Sequence, residues 1–173
     1  MDCDIAIVGY GPTGMALAAL LGQQGRSVIV LERYNGLYNL PRAAAFDDET
    51  MRTFQKLGIA ENVLPGTNIQ RGYVWVNGKN DILLDIEYDN PGRCGWPAQY
   101  MMYQPHLEDV FDGLVRSTKG IEVRQGVTVV MLREDDAGVT ITGKTEDGDE
   151  QTLRARYVVG CDGGNGFVRS HLD

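Results

Sequence analysis

The chain is poor in the residues that most often build metal centres and disulfide frameworks. Its 173 residues include two histidines, His106 and His171, and three cysteines, Cys3, Cys94 and Cys161. The cysteines are odd in number and widely spaced, and neither histidine lies at metal-ligand spacing from a cysteine or from the other histidine. We therefore expect reduced thiols, no disulfide framework and no metal site.

Positive charge is also scarce, because 16 Lys and Arg residues face 24 Asp and Glu residues and the formal net charge is −8. Nucleic acids and anionic membrane surfaces both attract clustered cations, so we expect neither as a partner. The sequence has no apolar run long enough to span a bilayer and no signal-peptide pattern, which predicts a cytoplasmic protein. An anionic ligand must then be held by local groups such as a helix N-terminus.

The first recognisable pattern is a strand, a helix and a strand within residues 5–32. Residues 4–8 form a short apolar run that ends in glycine, which is typical of a strand buried on both faces. Residues 12–24 are rich in Ala, Leu and Met and predict a helix, and residues 27–31 predict a second buried strand. Two such strands joined by a helix require a parallel, right-handed crossover.

The turn between the first strand and the helix follows the pattern G-x-G-x-x-G. It reads Gly9-Tyr-Gly-Pro-Thr-Gly14, and the residues we expect to bind the cofactor are Gly9, Gly11, Pro12, Thr13 and Gly14. In a dinucleotide-binding turn the first glycine allows the tight turn, the second lets the backbone approach the pyrophosphate, and the third permits close helix–strand packing. The helix N-terminus then offers N–H groups to the phosphates.

An acidic residue, Glu32, ends the second strand and strengthens this interpretation. A carboxylate there can accept hydrogen bonds from a ribose hydroxyl and would repel a 2′-phosphate. The pattern therefore permits FAD or NAD and disfavours NADP at this position. An NAD dehydrogenase normally continues with alternating βα units, whereas this chain turns to non-parallel structure, which favours FAD and leaves an NAD-binding module as a further possibility.

The remaining sequence predicts mixed structure. We expect turns at 34–41, helical segments at 48–57, 59–64 and 105–118, hairpin strands at 73–76 and 82–86, an irregular loop at 89–97 and a brief strand at 100–103. The last third predicts a strand-like segment at 121–124 and an antiparallel meander at 127–132, 139–142 and 151–154. A separate buried strand at 157–160 and a helix start at Phe167 follow.

Several longer stretches carry a family resemblance. They are Pro41-Arg-Ala-Ala-Ala-Phe-Asp-Asp-Glu49, Gly95-Trp-Pro97, Tyr103-Gln-Pro105 and Cys161-Asp-Gly-Gly-Asn-Gly-Phe-Val-Arg169. With the glycine motif, they make the chain similar to the FAD-dependent aromatic hydroxylases (group A flavoprotein monooxygenases of the p-hydroxybenzoate hydroxylase type), nearest to the 3-(3-hydroxyphenyl)propionate hydroxylase branch.

The resemblance implies an α/β fold: a Rossmann-like FAD-binding domain, with a parallel sheet, a crossover helix and an inserted antiparallel β-meander. It assigns residues 1–173 to the N-terminal portion of that domain and residues 70–103 to a partial excursion into the substrate domain. Because members of the family are much longer, we expect the chain to be truncated, a fragment of a longer protein.

The resemblance also implies FAD contacts. Arg42 would complement the pyrophosphate charge, the alternative being a surface arginine. Gln104 would reach the pyrophosphate or ribityl region, or else cap the helix that follows it. Arg33 would lie along the adenine or pair with a nearby carboxylate. Asp162 would contact the ribose or ribityl chain, and Arg169 would support the same region.

The function implied is hydroxylation of a small phenolic substrate by bound FAD, with NAD(P)H as transient co-substrate and O2. The alternatives are a catalytically inactive FAD-binding fragment or module, and a flavin-dependent dehydrogenase or reductase of the same fold. The carboxylates at 47–49 fit an acid–base cluster and the first turn of a helix equally well. The sequence therefore assigns no catalytic residue, no oligomeric state and no choice between NADH and NADPH.

Overall fold

The computed structural model describes residues 1–172, which contain five α-helices and eleven strands. In chain order these are β1 (Cys3–Val8), α1 (Pro12–Gln23), β2 (Val28–Glu32), β3 (Ala45–Asp47), α2 (Asp48–Leu57), α3 (Ala60–Val63), a 3₁₀ turn (Leu64–Gly66), β4 (Thr67–Ile69), β5 (Gly72–Val76), β6 (Ile82–Glu87), β7 (Gln99–Met102), α4 (Gln104–Ser117), β8 (Ile121–Gln125), β9 (Thr128–Asp135), β10 (Gly138–Lys144), β11 (Glu150–Gly160) and α5 (Phe167–Leu172). The chain divides into two compact units, which we call the sheet unit (residues 1–38 and the described residues from Phe111 onward) and the middle unit (Asn39–Val110).

The sheet unit is built on six strands in the order β8-β2-β1-β11-β10-β9. The first four run parallel to one another, and β10 and β9 are antiparallel to their neighbours. The predicted crossover from β1 through α1 to β2 is therefore confirmed. Because parallel strands end at one edge, the glycine turn after β1, Glu32 at the end of β2 and the segment after β11 all follow strands at the same carboxyl edge.

Strand β11 differs from its prediction. The segments 151–154 and 157–160 are two parts of one continuous strand, which pairs with β10 along its first half and with β1 along its second half. No turn residue separates the two parts, so the strand passes directly from an antiparallel to a parallel neighbour. The burial predicted for 157–160 is wrong, since Tyr157 is 63% and Val159 36% exposed.

The core of the sheet unit comes from alternating residues of the strands. Ala6 and Val8 of β1, Ile29 and Leu31 of β2, Ile141 of β10 and Leu153 and Ala155 of β11 form one buried cluster. Strand β8, for which the sequence predicted only a strand-like segment, extends the parallel sheet beside β2. Burying apolar area contributes roughly 25 cal/mol per Å², so this cluster stabilises the strands that carry the carboxyl edge.

The middle unit contains two small antiparallel sheets, β3-β7-β4 and the β5-β6 hairpin. The ring of Phe46 stacks on Tyr100 at a centroid distance of 5.1 Å and meets Phe54 edge-on at 5.2 Å, which packs β3, β7 and α2 together. The predicted helix at 48–57 and the hairpin are confirmed. Strand β3 is new, because three residues are too few to show a strand period in a sequence.

Among residues 1–172, no helix combines the length and the hydropathy that crossing a membrane requires.

Candidate cofactor-binding site

The glycine turn begins immediately after β1. Gly9 has a φ of +105°, a region of backbone conformation that residues with a side chain rarely adopt. Its N–H donates to the carbonyl oxygen of Leu31 at 2.8 Å, which ties the turn to β2. A Cβ at this position would overlap the carbonyl oxygen of Cys161. Both the conformation and the packing therefore require glycine here.

The other two glycines of the motif have opposite surroundings. A Cβ on Gly14, in the first turn of α1, would overlap the carbonyl oxygen of Gly9. A Cβ on Gly11, the N-cap residue of α1, would meet no heavy atom of the described residues within 4 Å. Glycine is therefore required at position 14 by the packing of the chain itself. At position 11 the open space fits a ligand that approaches the backbone closely.

The N-terminus of α1 also indicates a binding site for an anionic ligand. Pro12 occupies the start of the helix and Thr13 is exposed. No side chain of the described residues caps this end by a hydrogen bond. A twelve-residue helix whose first N–H groups are left without a side-chain cap presents donors and the positive end of the helix dipole. These features fit the diphosphate of a dinucleotide.

The carboxylate of Glu32 is held by two backbone amides. Its Oε2 accepts from the N–H of Tyr10 at 2.8 Å, and its Oε1 accepts from the N–H of Tyr34 at 3.0 Å. A carboxylate has about four acceptor positions, so capacity remains for hydroxyl donors. The arrangement fixes the orientation of an acceptor group beside the glycine turn, as binding of a ribose requires.

Arg33 is exposed and lies on its neighbour in the chain. Its guanidinium carbon is 4.8 Å from the centroid of the Tyr34 ring, and its Nη2 donates to the Tyr34 hydroxyl at 3.0 Å. This pairing holds a flat cationic surface next to Glu32. Contact with an adenine ring stays a prediction.

Gln104 connects two distant parts of the middle unit. Its side chain is 4% exposed, and its Oε1 accepts from the N–H groups of both Arg42 and Ala43 at 2.8 Å. Its Nε2 donates to Oε1 of Glu108, which is also buried, at 2.6 Å. The side-chain amide of Gln104 therefore anchors the loop that carries Arg42. Direct contact of Arg42 or Gln104 with FAD stays a prediction.

The segment after β11 packs against the glycine turn. The N–H of Cys161 donates to the carbonyl oxygen of Val8 at 2.7 Å, and Oδ2 of Asp162 accepts from the N–H of Val168 at 3.1 Å. Asp162 therefore holds the start of α5, while Arg169 donates to the carbonyl oxygen of Gly164 at 3.1 Å. Burial, with the nearby charge of Asp162, raises the pKa of the Cys161 thiol and keeps it protonated at neutral pH.

The carboxylates at 47–49 have structural partners. Asp47 is the N-cap of α2, and its Oδ1 accepts from the N–H of Thr50 at 2.9 Å. Oδ2 of Asp48 accepts from the N–H of Cys94 at 2.8 Å and so holds the loop at 89–97. These contacts favour the helix-terminus interpretation over an acid–base cluster.

The predicted residues thus fall into two groups. Around the carboxyl edge of the sheet unit lie Gly9, Gly11, Pro12, Thr13, Gly14, Glu32, Arg33 and Asp162, and in the middle unit lie Arg42 and Gln104. The sequence missed Tyr10, which occupies a variable position of the motif and binds Glu32 through its N–H. It also missed Glu108, whose spacing of four residues from Gln104 on α4 was a usable signal.

Known proteins share the sequence and the fold of this chain. Residues 2–173 match the family model described as "FAD binding domain". The chain is 71% identical over 167 residues to a probable NADH-specific resorcinol 4-hydroxylase of Rhodococcus jostii (strain RHA1), covering 96% of the chain and 32% of that protein. It is 38% identical over 173 residues to a 3-(3-hydroxy-phenyl)propionate/3-hydroxycinnamic acid hydroxylase of Paraburkholderia xenovorans (strain LB400), covering 100% of the chain and 28% of that protein.

A solved structure shares the fold. The ternary complex of aklavinone-11 hydroxylase with FAD and aklavinone matches 99% of this chain and 35% of that chain, with a TM-score of 0.80 and 32% identity. The chain therefore spans about a third of the length of the proteins it matches. Its cofactor is FAD, and the chain belongs to the FAD-binding domain family of the flavin-dependent aromatic hydroxylases.

Proposed function

We propose that this chain is the FAD-binding portion of a flavoprotein monooxygenase that hydroxylates a small phenol with NADH and O2. The observation that carries the proposal is the 71% identity, over 96% of the chain, to a protein described as a probable NADH-specific resorcinol 4-hydroxylase. A dihydroxybenzene such as resorcinol is the substrate class we propose. A cytoplasmic location stays a prediction from the sequence.

Different residues of the sheet unit contact different parts of FAD. The turn at Gly11 and the N-terminus of α1 receive the pyrophosphate, because that is where the chain leaves open space and N–H donors. Glu32 accepts hydrogen bonds from the adenosine ribose, since two backbone amides already orient its carboxylate. Arg33 borders the adenine, and Asp162 borders the ribose or ribityl chain.

In the middle unit, Gln104 holds the loop at Arg42 by accepting hydrogen bonds from the backbone N–H groups of Arg42 and Ala43. We assign Arg42 to the pyrophosphate on the strength of the family motif and of this anchoring. When bound, FAD supplies the redox chemistry, and the protein orients and shields it. We assign no residue of this chain as a catalytic base.

The first experiment measures binding of FAD by the purified 173-residue chain. We expect a flavin absorption band at about 450 nm that survives desalting, and quenching of flavin fluorescence on titration. Gly11→Ala is the matched variant, since it keeps the fold but places a methyl group in the space we assign to the pyrophosphate. A chain that is folded by circular dichroism and retains no flavin would contradict the proposal.

The second experiment tests the monooxygenase assignment. In the Rhodococcus jostii relative, this chain replaces the corresponding segment, and the resulting chimera is supplied with FAD, NADH, O2 and resorcinol. Hydroxylated product formed in proportion to NADH consumed supports the proposal. A chimera that holds FAD but oxidises NADH without forming product favours the dehydrogenase or reductase alternative. The isolated chain serves as control and tests the alternative of an inactive binding module.

A further inference from the structure

Tyr10 is held at both ends, although the glycine motif leaves its position free. The residue is 4% exposed and lies between the first two glycines of the turn. Its N–H donates to Oε2 of Glu32 at 2.8 Å, and its hydroxyl donates to Oδ1 of Asp112 on α4 at 2.9 Å. One side chain therefore connects the glycine turn to α4, while the backbone of the same residue connects the turn to the acidic end of β2.

The contacts of Tyr10 continue into a closed ring. Nε of Arg116 donates to Oδ1 and Oδ2 of Asp112 at 2.8 and 2.9 Å, and its Nη2 donates to Oε1 of Gln125 at 2.9 Å. Gln125 is the last residue of β8 and the register partner of Glu32 in β2. The ring therefore starts at Glu32, passes through Tyr10, Asp112, Arg116 and Gln125, and returns through the sheet to Glu32.

Charge and protonation suit this arrangement. Arg116 neutralises the carboxylate of Asp112, so this carboxylate adds little repulsion toward a phosphate. Burial raises the pKa of Tyr10, and the hydrogen bond to Asp112 and its charge raise it further. The phenol therefore stays protonated at neutral pH and acts as a donor to Asp112.

We propose that Tyr10 is a positioning residue for FAD, which keeps the glycine turn and Glu32 in the arrangement that receives the pyrophosphate and the ribose. A turn with three glycines in six residues has much conformational freedom, and a ligand that must order it binds less tightly. The anchor at Asp112 removes part of that freedom before FAD arrives. The inference rests on the proposed function, because it presupposes that FAD binds at this turn.

The test compares Tyr10→Phe with the unaltered chain. The substitution removes one hydroxyl and keeps the buried ring. We expect the Kd for FAD, measured by fluorescence quenching, to rise about three- to tenfold, the range for the net loss of one typical hydrogen bond. We also expect faster hydrogen exchange of the Tyr10 amide without FAD. Tyr157→Phe, the same change at an exposed tyrosine of the sheet unit, is the control and should leave both quantities unchanged.

Substitutions of Asp112 separate positioning from general stability. Asp112→Asn keeps an acceptor oxygen for Tyr10 and should retain most of the affinity for FAD, whereas Asp112→Ala should weaken binding as Tyr10→Phe does. Tyr10→Phe combined with Asp112→Ala should bind no more weakly than Asp112→Ala alone. The comparison of Asp112→Asn with Asp112→Ala remains available if Tyr10→Phe does not fold.

Two results overturn the inference. One is an unchanged Kd for FAD in both Tyr10→Phe and Asp112→Ala, and the other is independent, additive effects of the two substitutions. A fall in thermal stability with an unchanged Kd shows a structural role alone and counts in the same way. Failure of the unaltered chain to bind FAD would instead overturn the proposed function, and the unaltered sample distinguishes that case.

Discussion

The glycine turn of the sheet unit and the Arg42 loop of the middle unit are each held in place, but by different forces. The turn is held by close packing of backbone on backbone, with Gly9 and Gly14 at positions where a Cβ would overlap a carbonyl oxygen. The loop is held by one buried side-chain amide, which accepts from two backbone N–H groups. At Gly9 and Gly14 the turn therefore tolerates no added atom, whereas the loop tolerates no lost hydrogen-bonding partner.

This difference determines which substitutions should destabilise each region. In the turn, a methyl group at the wrong glycine forces the backbone to move, because a carbonyl oxygen cannot rotate away as a flexible side chain can. In the loop, loss of Gln104 leaves polar groups without partners, among them the buried carboxylate of Glu108. Substitutions that separate steric overlap from the loss of hydrogen-bonding partners test the comparison directly.

The largest effect is expected for Gly14→Ala. The added Cβ overlaps the carbonyl oxygen of Gly9, so α1 must shift away from the turn. We expect the free energy of unfolding to fall by about 3–5 kcal/mol, near the upper end for single substitutions, together with loss of FAD binding. Urea unfolding followed by circular dichroism gives the first quantity, and fluorescence titration gives the second.

Gly11→Ala provides the contrast within the same motif. Its Cβ enters open space, so the free energy of unfolding should change by less than about 0.5 kcal/mol, as at unconstrained positions. Binding of FAD should nevertheless weaken. If the two alanine variants lost stability equally, the distinction between packing and ligand approach would be wrong.

The next effect is expected for Gln104→Ala. Without the amide, the N–H groups of Arg42 and Ala43 and the carboxylate of Glu108 lose a partner. We expect a loss of about 2 kcal/mol in the free energy of unfolding, from unsatisfied buried polar groups. Gln104→Glu should be at least as harmful, because it places a second carboxylate beside Glu108.

The double variant Gln104→Leu with Glu108→Leu tests the polar origin of that loss. It removes the buried carboxylate together with its partner, so it should recover part of the stability that Gln104→Ala loses. FAD affinity should stay low, because the Arg42 loop remains unanchored. Full affinity in the double variant would show that the loop does not contribute to binding.

The same contrast explains what the sequence could predict. The glycine turn, α1 and Glu32 are local in sequence, and each position of the motif has a physical requirement that leaves a trace in residue type. Gln104 and Arg42 are 62 positions apart, and an amide that binds backbone N–H groups imposes no residue type on its partners. The sequence therefore indicated them only through family resemblance.

Two further features escaped prediction for related reasons. Tyr10 stands at a position that the motif leaves open, and its partner Asp112 is 102 positions away. Strand β11 was predicted as two strands, because its residue pattern changes from mostly polar at 151–154 to mostly apolar at 157–160. The backbone nevertheless continues without a break from the antiparallel neighbour β10 to the parallel neighbour β1. Local patterns predicted the elements, while contacts between distant side chains required the structure.

A smaller effect is expected for Glu32→Gln, which removes the negative charge of the side chain and keeps its size. Both oxygens of Glu32 accept from backbone N–H groups, so the amide –NH2 of glutamine must face a donor on one side. We expect FAD to bind about tenfold more weakly, equivalent to about 1.4 kcal/mol, with little change in folding. Isothermal titration at two salt concentrations checks this, and unchanged affinity would remove Glu32 from the proposed ribose contact.

The smallest effect concerns pH and the N-cap of α2 in the middle unit. Hydrogen bonds from Thr50 lower the pKa of Asp47, so the folded state binds its proton less readily than the unfolded state. A lowered carboxyl pKa stabilises the fold above the unfolded value of about 3.9, and that contribution is lost as the pH falls through the folded pKa. Asp47→Asn keeps an acceptor for the Thr50 N–H but cannot ionise, so its stability relative to the unaltered chain should improve as the pH falls from 6 toward about 3.

Asp47→Ala should lose about 1 kcal/mol at neutral pH, because the cap is removed. Urea midpoints across this range give the measurement, and parallel pH profiles for Asp47→Asn and the unaltered chain would show that the charge of the cap contributes nothing.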